Sequence, residues 1–146
     1  MSLPIFDRVY PIDPSDLLPA VTSDTAPYWE GLSRRELVIQ KCEACHRLRF
    51  PTMPVCPLCG STEFGWQSHS GKGELFSWVR YQRLYLPEFA DLMPYTVITA
   101  QLDPGVRIVG RLVERDVEPN IGDPVWMMLE KWPNGRHVPV FSLNAA

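Results

Sequence analysis

The sequence predicts a mostly β chain, and three observations carry that expectation. Fifteen prolines stand against nine glycines in 146 residues, which implies many strand ends and rigid loops, because proline cannot donate a ladder hydrogen bond and is excluded from helix interiors. After Gly71, five β-prone segments are separated by turn signals. Ahead of them lie two Cys-x-x-Cys pairs, Cys42/Cys45 and Cys56/Cys59, with ten residues between. The expected order is an extended arm and short helix over 1–35, a zinc ribbon over 36–69 and a five-stranded OB-type barrel over 70–146.

The opening stretch to about Val21 carries Pro4, Pro11, Pro14 and Pro19 and no helical or strand period, so it reads as an extended arm. Thr22, Ser23 and Asp24 are helix N-cap residues, and Tyr28, Trp29 and Leu32 recur at helical spacing, which predicts a helix from about Thr25 to Arg34. Its aromatic side either packs on this chain's own domains or fills a partner's pocket. Glu36 to Lys41 is β-prone and runs into Cys42, and Leu48-Arg49-Phe50-Pro51 follows the first cysteine pair, so a hairpin is expected there. The barrel strands are expected at Glu74–Leu84, Tyr95–Leu102, Val106–Val113, Val125–Lys131 and Val138–Leu143. Asp103-Pro104-Gly105 and Pro133-Asn134-Gly135 supply tight turns. Alternation in the third strand puts Val106, Ile108, Gly110 and Leu112 on one face and Arg107, Val109, Arg111 and Val113 on the other.

The cysteine spacing is that of two chelating loops converging on a tetrahedral zinc site with four thiolate ligands. In Cys56-Pro57-Leu58-Cys59-Gly60 the proline stiffens the knuckle, and the glycine can take the positive φ that brings backbone N–H groups toward sulfur. Four thiolates leave no open position, so the metal is expected to be structural, supplying folding energy that so small a module lacks. Iron has the same ligand set available, and a dithiol redox motif would need a thioredoxin-like βαβ setting that is missing. His46, adjacent to Cys45, is expected to face solvent or pack rather than ligate.

A net charge of −3 argues against a phosphate-binding nucleic-acid partner, which requires a basic field. Basic and acidic residues number three and five in 1–35, three and three in 36–69, and eight and nine in 70–146. No apolar run approaches the roughly 20 residues of a membrane helix, and Met1 to Asp7 lack the basic, apolar character of a secretory signal, so a cytoplasmic setting with reduced cysteines is expected. His69 and His137 are tied to no carboxylate by any sequence pattern. No nucleophile elbow, phosphate loop or dinucleotide fingerprint is present, so no catalytic residue is assigned.

Several segments, taken in order, resemble a family that joins an N-terminal helical segment, a rubredoxin-like zinc ribbon and an OB-fold and is associated with acyl-CoA metabolism. They are Pro27-Tyr28-Trp29-Glu30-Gly31-Leu32, Leu37-Val38-Ile39-Gln40-Lys41-Cys42-x-x-Cys45, Arg49-Phe50-Pro51, Cys56-Pro57-x-Cys59-Gly60, Gly71-x-Gly73-x-Leu75-x-Ser77, Pro94-Tyr95 and Ile121-Gly122-x-Pro124-Val125. The likeness runs from about Pro27 to Phe141; His46 stands where a small residue is common, and the first twenty residues have no counterpart. The resemblance implies a non-catalytic companion of thiolase-fold enzymes, including acyltransferases, hydroxymethylglutaryl-CoA-forming systems and steroid side-chain aldolases. Relatives are also fused or bound to hot-dog-fold hydratases. In such a role the chain bridges subunits, completes a partner's active-site entrance or helps an acyl-CoA pass between enzymes.

Two other functions compete with that expectation. A free-standing acyl-CoA binder would use outward Arg107 and Arg111, with Arg80 or Arg83, on the CoA phosphates. A nucleic-acid binder would stack bases on Phe76, Trp78 and Trp126, against the acidic balance. For a protein partner the anchors are Tyr85, Phe89 and Met93 in the loop joining the first two barrel strands, with Tyr28 and Trp29 as a second contact or a homodimer surface. The alternative for that loop is that Phe89 and Leu92 fold back over this chain's own barrel.

Overall fold

The computed structural model describes residues 2–145. Helix α1 spans Ala26–Ser33. It is followed by β1 (Leu37–Cys42), β2 (Leu48–Arg49), β3 (Phe64–His69), β4 (Lys72–Tyr81), β5 (Tyr95–Asp103), β6 (Val106–Leu112), β7 (Pro124–Lys131) and β8 (His137–Ser142), with short 3-10 turns at Ser15–Leu17 and Pro87–Leu92. The ribbon is a three-stranded antiparallel sheet ordered β2-β1-β3, and the remaining strands close a barrel in the order β4-β5-β6-β8-β7. One barrel pair, β6 with β8, is parallel. This is the mostly β, zinc-ribbon and OB-fold architecture expected. No helix among the described residues is long and apolar enough to cross a membrane.

Local differences have physical causes. The helix begins at Ala26 with Pro27 in its first turn, where a missing N–H costs nothing. The turn before it is tied by Thr22 and Thr25, whose hydroxyls lie 3.2 Å apart, rather than by Ser23 or Asp24. The helix stops at Arg35, whose φ of 62° is left-handed, and the Glu36 N–H closes the end on the Gly31 carbonyl at 2.8 Å. Gly31 permits this close turn, since a Cβ there would lie 2.8 Å from the Glu36 oxygen. The first barrel strand ends at Tyr81, ahead of the expected Leu84.

The ribbon's third strand, β3, has no counterpart in the sequence expectations, because Phe-Gly-Trp-Gln-Ser-His shows no strong alternation. It forms because each residue from Phe64 to His69 has a partner on β1, from Cys42 back to Leu37. Strand character here comes from pairing rather than from intrinsic preference.

A single apolar core joins the parts. Leu37 and Ile39 of β1 and Leu32 of α1 pack in one cluster with Leu75, Ile98, Ile108, Leu129 and Phe141 of the barrel. The arm is docked as well as extended. Ile5 bridges Leu129 in parallel, and the Phe6 N–H donates to the Leu129 carbonyl at 2.8 Å. A second cluster puts Tyr10 of the arm beside Leu92 and Trp132.

Candidate metal centre and partner-facing surfaces

Two knuckles of the same design hold the cysteines. In the first, the His46 N–H reaches the Cys42 carbonyl at 3.0 Å; in the second, the Gly60 N–H reaches the Cys56 carbonyl at 2.9 Å. Both residues closing the turn are left-handed, His46 at φ 64° and Gly60 at φ 77°. His46 is thus exposed at a turn position, outside the group of ligand atoms.

The four sulfurs lie within 4.8 Å of one another. Cys42 Sγ is 3.6 Å from Cys59 Sγ, and Cys45 Sγ is 3.7 Å from Cys56 Sγ. Zinc–sulfur bonds of about 2.3 Å in a tetrahedron require sulfur–sulfur edges of roughly 3.8 Å, whereas a disulfide needs about 2.05 Å. The cage therefore fits a tetrahedral metal, and all four cysteines are free of disulfides.

Backbone dipoles prepare the leading sulfur of each knuckle to carry charge. The Cys45 N–H, then that of Ala44, brings the Cys42 thiol down to about 6. The N–H groups of Cys59 and Leu58 lower Cys56 in the same way. For Cys59 the Ser61 N–H pulls downward, but the Cys42 thiol, burial and the other cysteines together raise it to about 11.

Behind the cage, a buried latch sets the ribbon's other loop. The Gln40 amide donates to the Met53 carbonyl and accepts from the Met53 N–H, both at 2.9 Å. The Arg49 guanidinium adds a third contact to the same carbonyl at 2.9 Å. Sequence reasoning passed over Gln40 and Arg49; a glutamine and an arginine inside apolar strands were the available signal.

The arginines expected to meet CoA phosphates fare differently from one another. Arg107 is exposed, its Nε donating to Gln101 Oε1 at 2.7 Å while the guanidinium lies 3.8 Å from the Phe76 ring centre. It sits at the edge of a groove of about 710 Å3 between ribbon and barrel, which also holds His69, Lys72 and Asp103. Arg111 has the outward phase expected of it but is not free, since its guanidinium pairs with buried Glu130. The reason is coverage. The arm lays Tyr10 over this part of the barrel's outer face, and its hydroxyl donates to Glu130 Oε1 at 2.5 Å, joined there by Trp132 Nε1 at 3.1 Å. Burial, followed by that bond, raises the Tyr10 phenol above its ordinary range. Arg80 is likewise engaged, with Thr96 Oγ1 at 3.2 Å and with the Val117 carbonyl, and Arg83 lies over Tyr85.

The residues expected at a partner interface also divide. Tyr28 is buried against Trp29 and Phe50, at ring separations of 5.1 and 5.3 Å, so it serves this chain's own core rather than a partner. Trp29 is half-buried under the Arg136 guanidinium, 4.3 Å from its ring centre. Leu92 is buried, and Phe89 packs on Tyr10, Tyr95 and Trp132, so this loop folds back on the barrel. Met93 is half-buried, and Tyr85 remains 65 % exposed. The aromatics Phe76, Trp78 and Trp126 do not form one stacking platform. Each faces its own cation, Arg107, Arg80 and Lys72 respectively.

The fold and the thiol cage together define a zinc-ribbon and OB-fold protein. Family models bear directly on this: residues 29–65 match the ChsH2 rubredoxin-like zinc ribbon domain, and residues 66–129 match the ChsH2 C-terminal OB-fold domain. The chain belongs to the DUF35 family. It is 33 % identical over 116 residues to a DUF35 domain-containing scaffold protein of Methanothermobacter thermautotrophicus, a match covering 75 % of this chain and 84 % of that protein. Over 95 residues it is 39 % identical to a probable enoyl-CoA hydratase alpha subunit of Thermomonospora curvata. That match takes in 65 % of this chain but 29 % of the hydratase subunit, so the chain spans under a third of that relative. A chain of a solved structure described as an Ltp2-ChsH2(DUF35) aldolase superposes with a TM-score of 0.76 at 35 % identity, covering 86 % of this chain and 98 % of that one.

Proposed function

We propose that this protein is a non-catalytic accessory subunit that binds a thiolase-fold acyl-CoA enzyme and supports transfer of the acyl-CoA between active sites. The observation that carries the reading is the near-complete superposition on a chain of the Ltp2-ChsH2(DUF35) aldolase. The scaffold relative, covered over most of its length, supports the non-catalytic role. Zinc held by Cys42, Cys45, Cys56 and Cys59 is the cofactor of this reading. When bound, it cross-links two loops whose own side chains are mostly exposed. Exposed Tyr85 and half-buried Met93 are the anchors that remain available to the enzyme.

The test is co-expression with a thiolase-like enzyme encoded beside this chain, followed by size-exclusion chromatography and elemental analysis. A stable complex with one zinc per copy of this chain, and no thioester turnover by this chain alone, is the expected result. Independent elution of the two proteins overturns the proposal.

A second reading, direct acyl-CoA binding, is favoured by Arg107 and Lys72 at the groove between ribbon and barrel. Calorimetric titration of the isolated protein with CoA separates the two, since only the second requires binding without an enzyme. Arg107→Ala should abolish such binding, and Arg111→Ala would not act through phosphate contact.

A further inference from the structure

Among the described residues two charged side chains are buried, Arg49 and Glu130, and only the second has a countercharge. Glu130 is paired with Arg111, whereas Arg49, 4 % exposed, forms no ion pair among the described residues. Its Nη2 donates to the Met53 carbonyl, but Nε and Nη1 are buried and meet no acceptor. A buried charge left without compensation strongly destabilises a fold, so an opposite charge is required close by. Strand register says where the guanidinium lies. Arg49 of β2 stands opposite Gln40, and Cys42, two residues further along β1, stands opposite Phe64 of β3. Directly opposed residues share a face, as do residues two apart, so Arg49, Gln40, Cys42 and Phe64 project to one side of the ribbon sheet. The guanidinium carbon is 5.4 Å from the Phe64 ring centre. To reach that ring from β2, the side chain crosses β1 beside Cys42. The loop after β2 then closes over it, and Arg49 shares the wall of a cavity of about 190 Å3 with Met53 and Cys56. The buried cation thus lies beside the leading cysteine of each knuckle.

We propose that Arg49 is the buried countercharge of the thiolate cage, tightening its hold on a metal ion and favouring the more negative state of the loaded centre. A divalent ion on four thiolates keeps two net negative charges, and these supply the compensation that Arg49 lacks elsewhere. The missing carboxylate fits this role, since an acid paired with Arg49 would cancel its field at the sulfurs. Other charged side chains flanking the knuckles, Glu43, Arg47 and Glu63, are exposed, where solvent and salt screen them. The Gln40 and Met53 latch fixes where the charge stands. The inference rests on the reading of the four cysteines as a metal site, and on no other part of the proposed function.

The test loads the full chain with zinc, and separately with iron, as wild type, Arg49→Met and Arg49→Lys. In chelator competition, Arg49→Met should hold zinc about tenfold more weakly than wild type, and Arg49→Lys, which keeps the charge, within about threefold of it. Iron adds a readout that a purely structural role would not move. Four thiolates leave ferric iron one net negative charge and ferrous iron two, so a nearby cation favours the ferrous form. The midpoint potential of the iron-loaded protein should therefore fall in Arg49→Met and stay near wild type in Arg49→Lys. Equal potentials in wild type and Arg49→Met overturn the inference even if zinc affinity drops, because the arginine would then act only through its bond to Met53. If Arg49→Met takes up no iron, Arg49→Lys decides. A potential near wild type sustains the countercharge, and a lowered potential or loss of metal in this variant too overturns it. A wild-type chain that folds without taking up either metal overturns the zinc reading as well, whereas loaded wild type with an unmoved potential in Arg49→Met sinks this inference alone.

Discussion

In the barrel, β5 buries every second residue from Thr96 to Leu102, and facing strands supply Ile108, Met127, Leu129 and Phe141 to the same core. The ribbon has nothing comparable away from β1: no residue of β3 is buried, and around the second cysteine pair Pro57, Leu58 and Cys59 all face solvent. Burial of apolar area at roughly 25 cal/mol per Å2 can hold the first structure. The second depends on its thiol cage. Two β-structures joined in one short chain thus have different means of order open to them, side-chain area in one and, in the proposed reading, ligand bonds in the other.

Metal removal should separate them most strongly, because structural zinc contributes about 10–16 kcal/mol in comparable peptides. With a chelator, or in Cys56→Ser, amides of β2 and both knuckles are expected to lose hydrogen-exchange protection while β5 and β6 keep theirs. Full retention of knuckle protection in metal-free protein would erase the distinction.

The next effect lies in the barrel. Arg111→Met strands Glu130, which is 1 % exposed, and should cost about 3–5 kcal/mol in urea unfolding. Adding Glu130→Gln should regain most of that, since an amide oxygen still accepts from Tyr10 and Trp132. Zinc content should not change in either variant. Tyr10→Phe, which removes one donor from the same carboxylate, should cost about 2 kcal/mol, read from the same unfolding curves.

The smallest effect compares the two knuckles. His46→Gly relieves a left-handed residue and should stabilise the ribbon by up to about 1 kcal/mol, and Gly60→Ala should destabilise it by a similar amount. A chelator-competition assay reads both. Equal and opposite shifts would show that the knuckles are energetically interchangeable.

The parts legible in the sequence are those fixed by local rules. Cysteine spacing marks the cage because chelating loops are short, and alternation marks the faces of β6 because side chains reverse at every residue. What escaped depends on distant chain. β3 takes its order from β1, and the arm shows no period because its anchors, Leu129 and Glu130, lie over a hundred residues away. Arg111 has the outward phase its sequence position gives, yet it is enclosed, because periodicity says which way a side chain points and not what later covers it. Glu130, in the run Val125-Trp126-Met127-Met128-Leu129-Glu130-Lys131, was the one visible hint that an outward face would be closed over.

That closure also sets an order of events during synthesis. The Tyr10 hydroxyl and the Glu130 carboxylate are 120 residues apart in the chain. At ribosomal rates of about 5–20 residues per second, Tyr10 waits several seconds before its acceptor exists. The thiol loops span only Cys42 to Cys59 and can be closed by metal long before then. The arm therefore cannot seat until β7 exists, and a nascent chain stalled before β7 should carry a finished metal knot beside an unseated N-terminal strap.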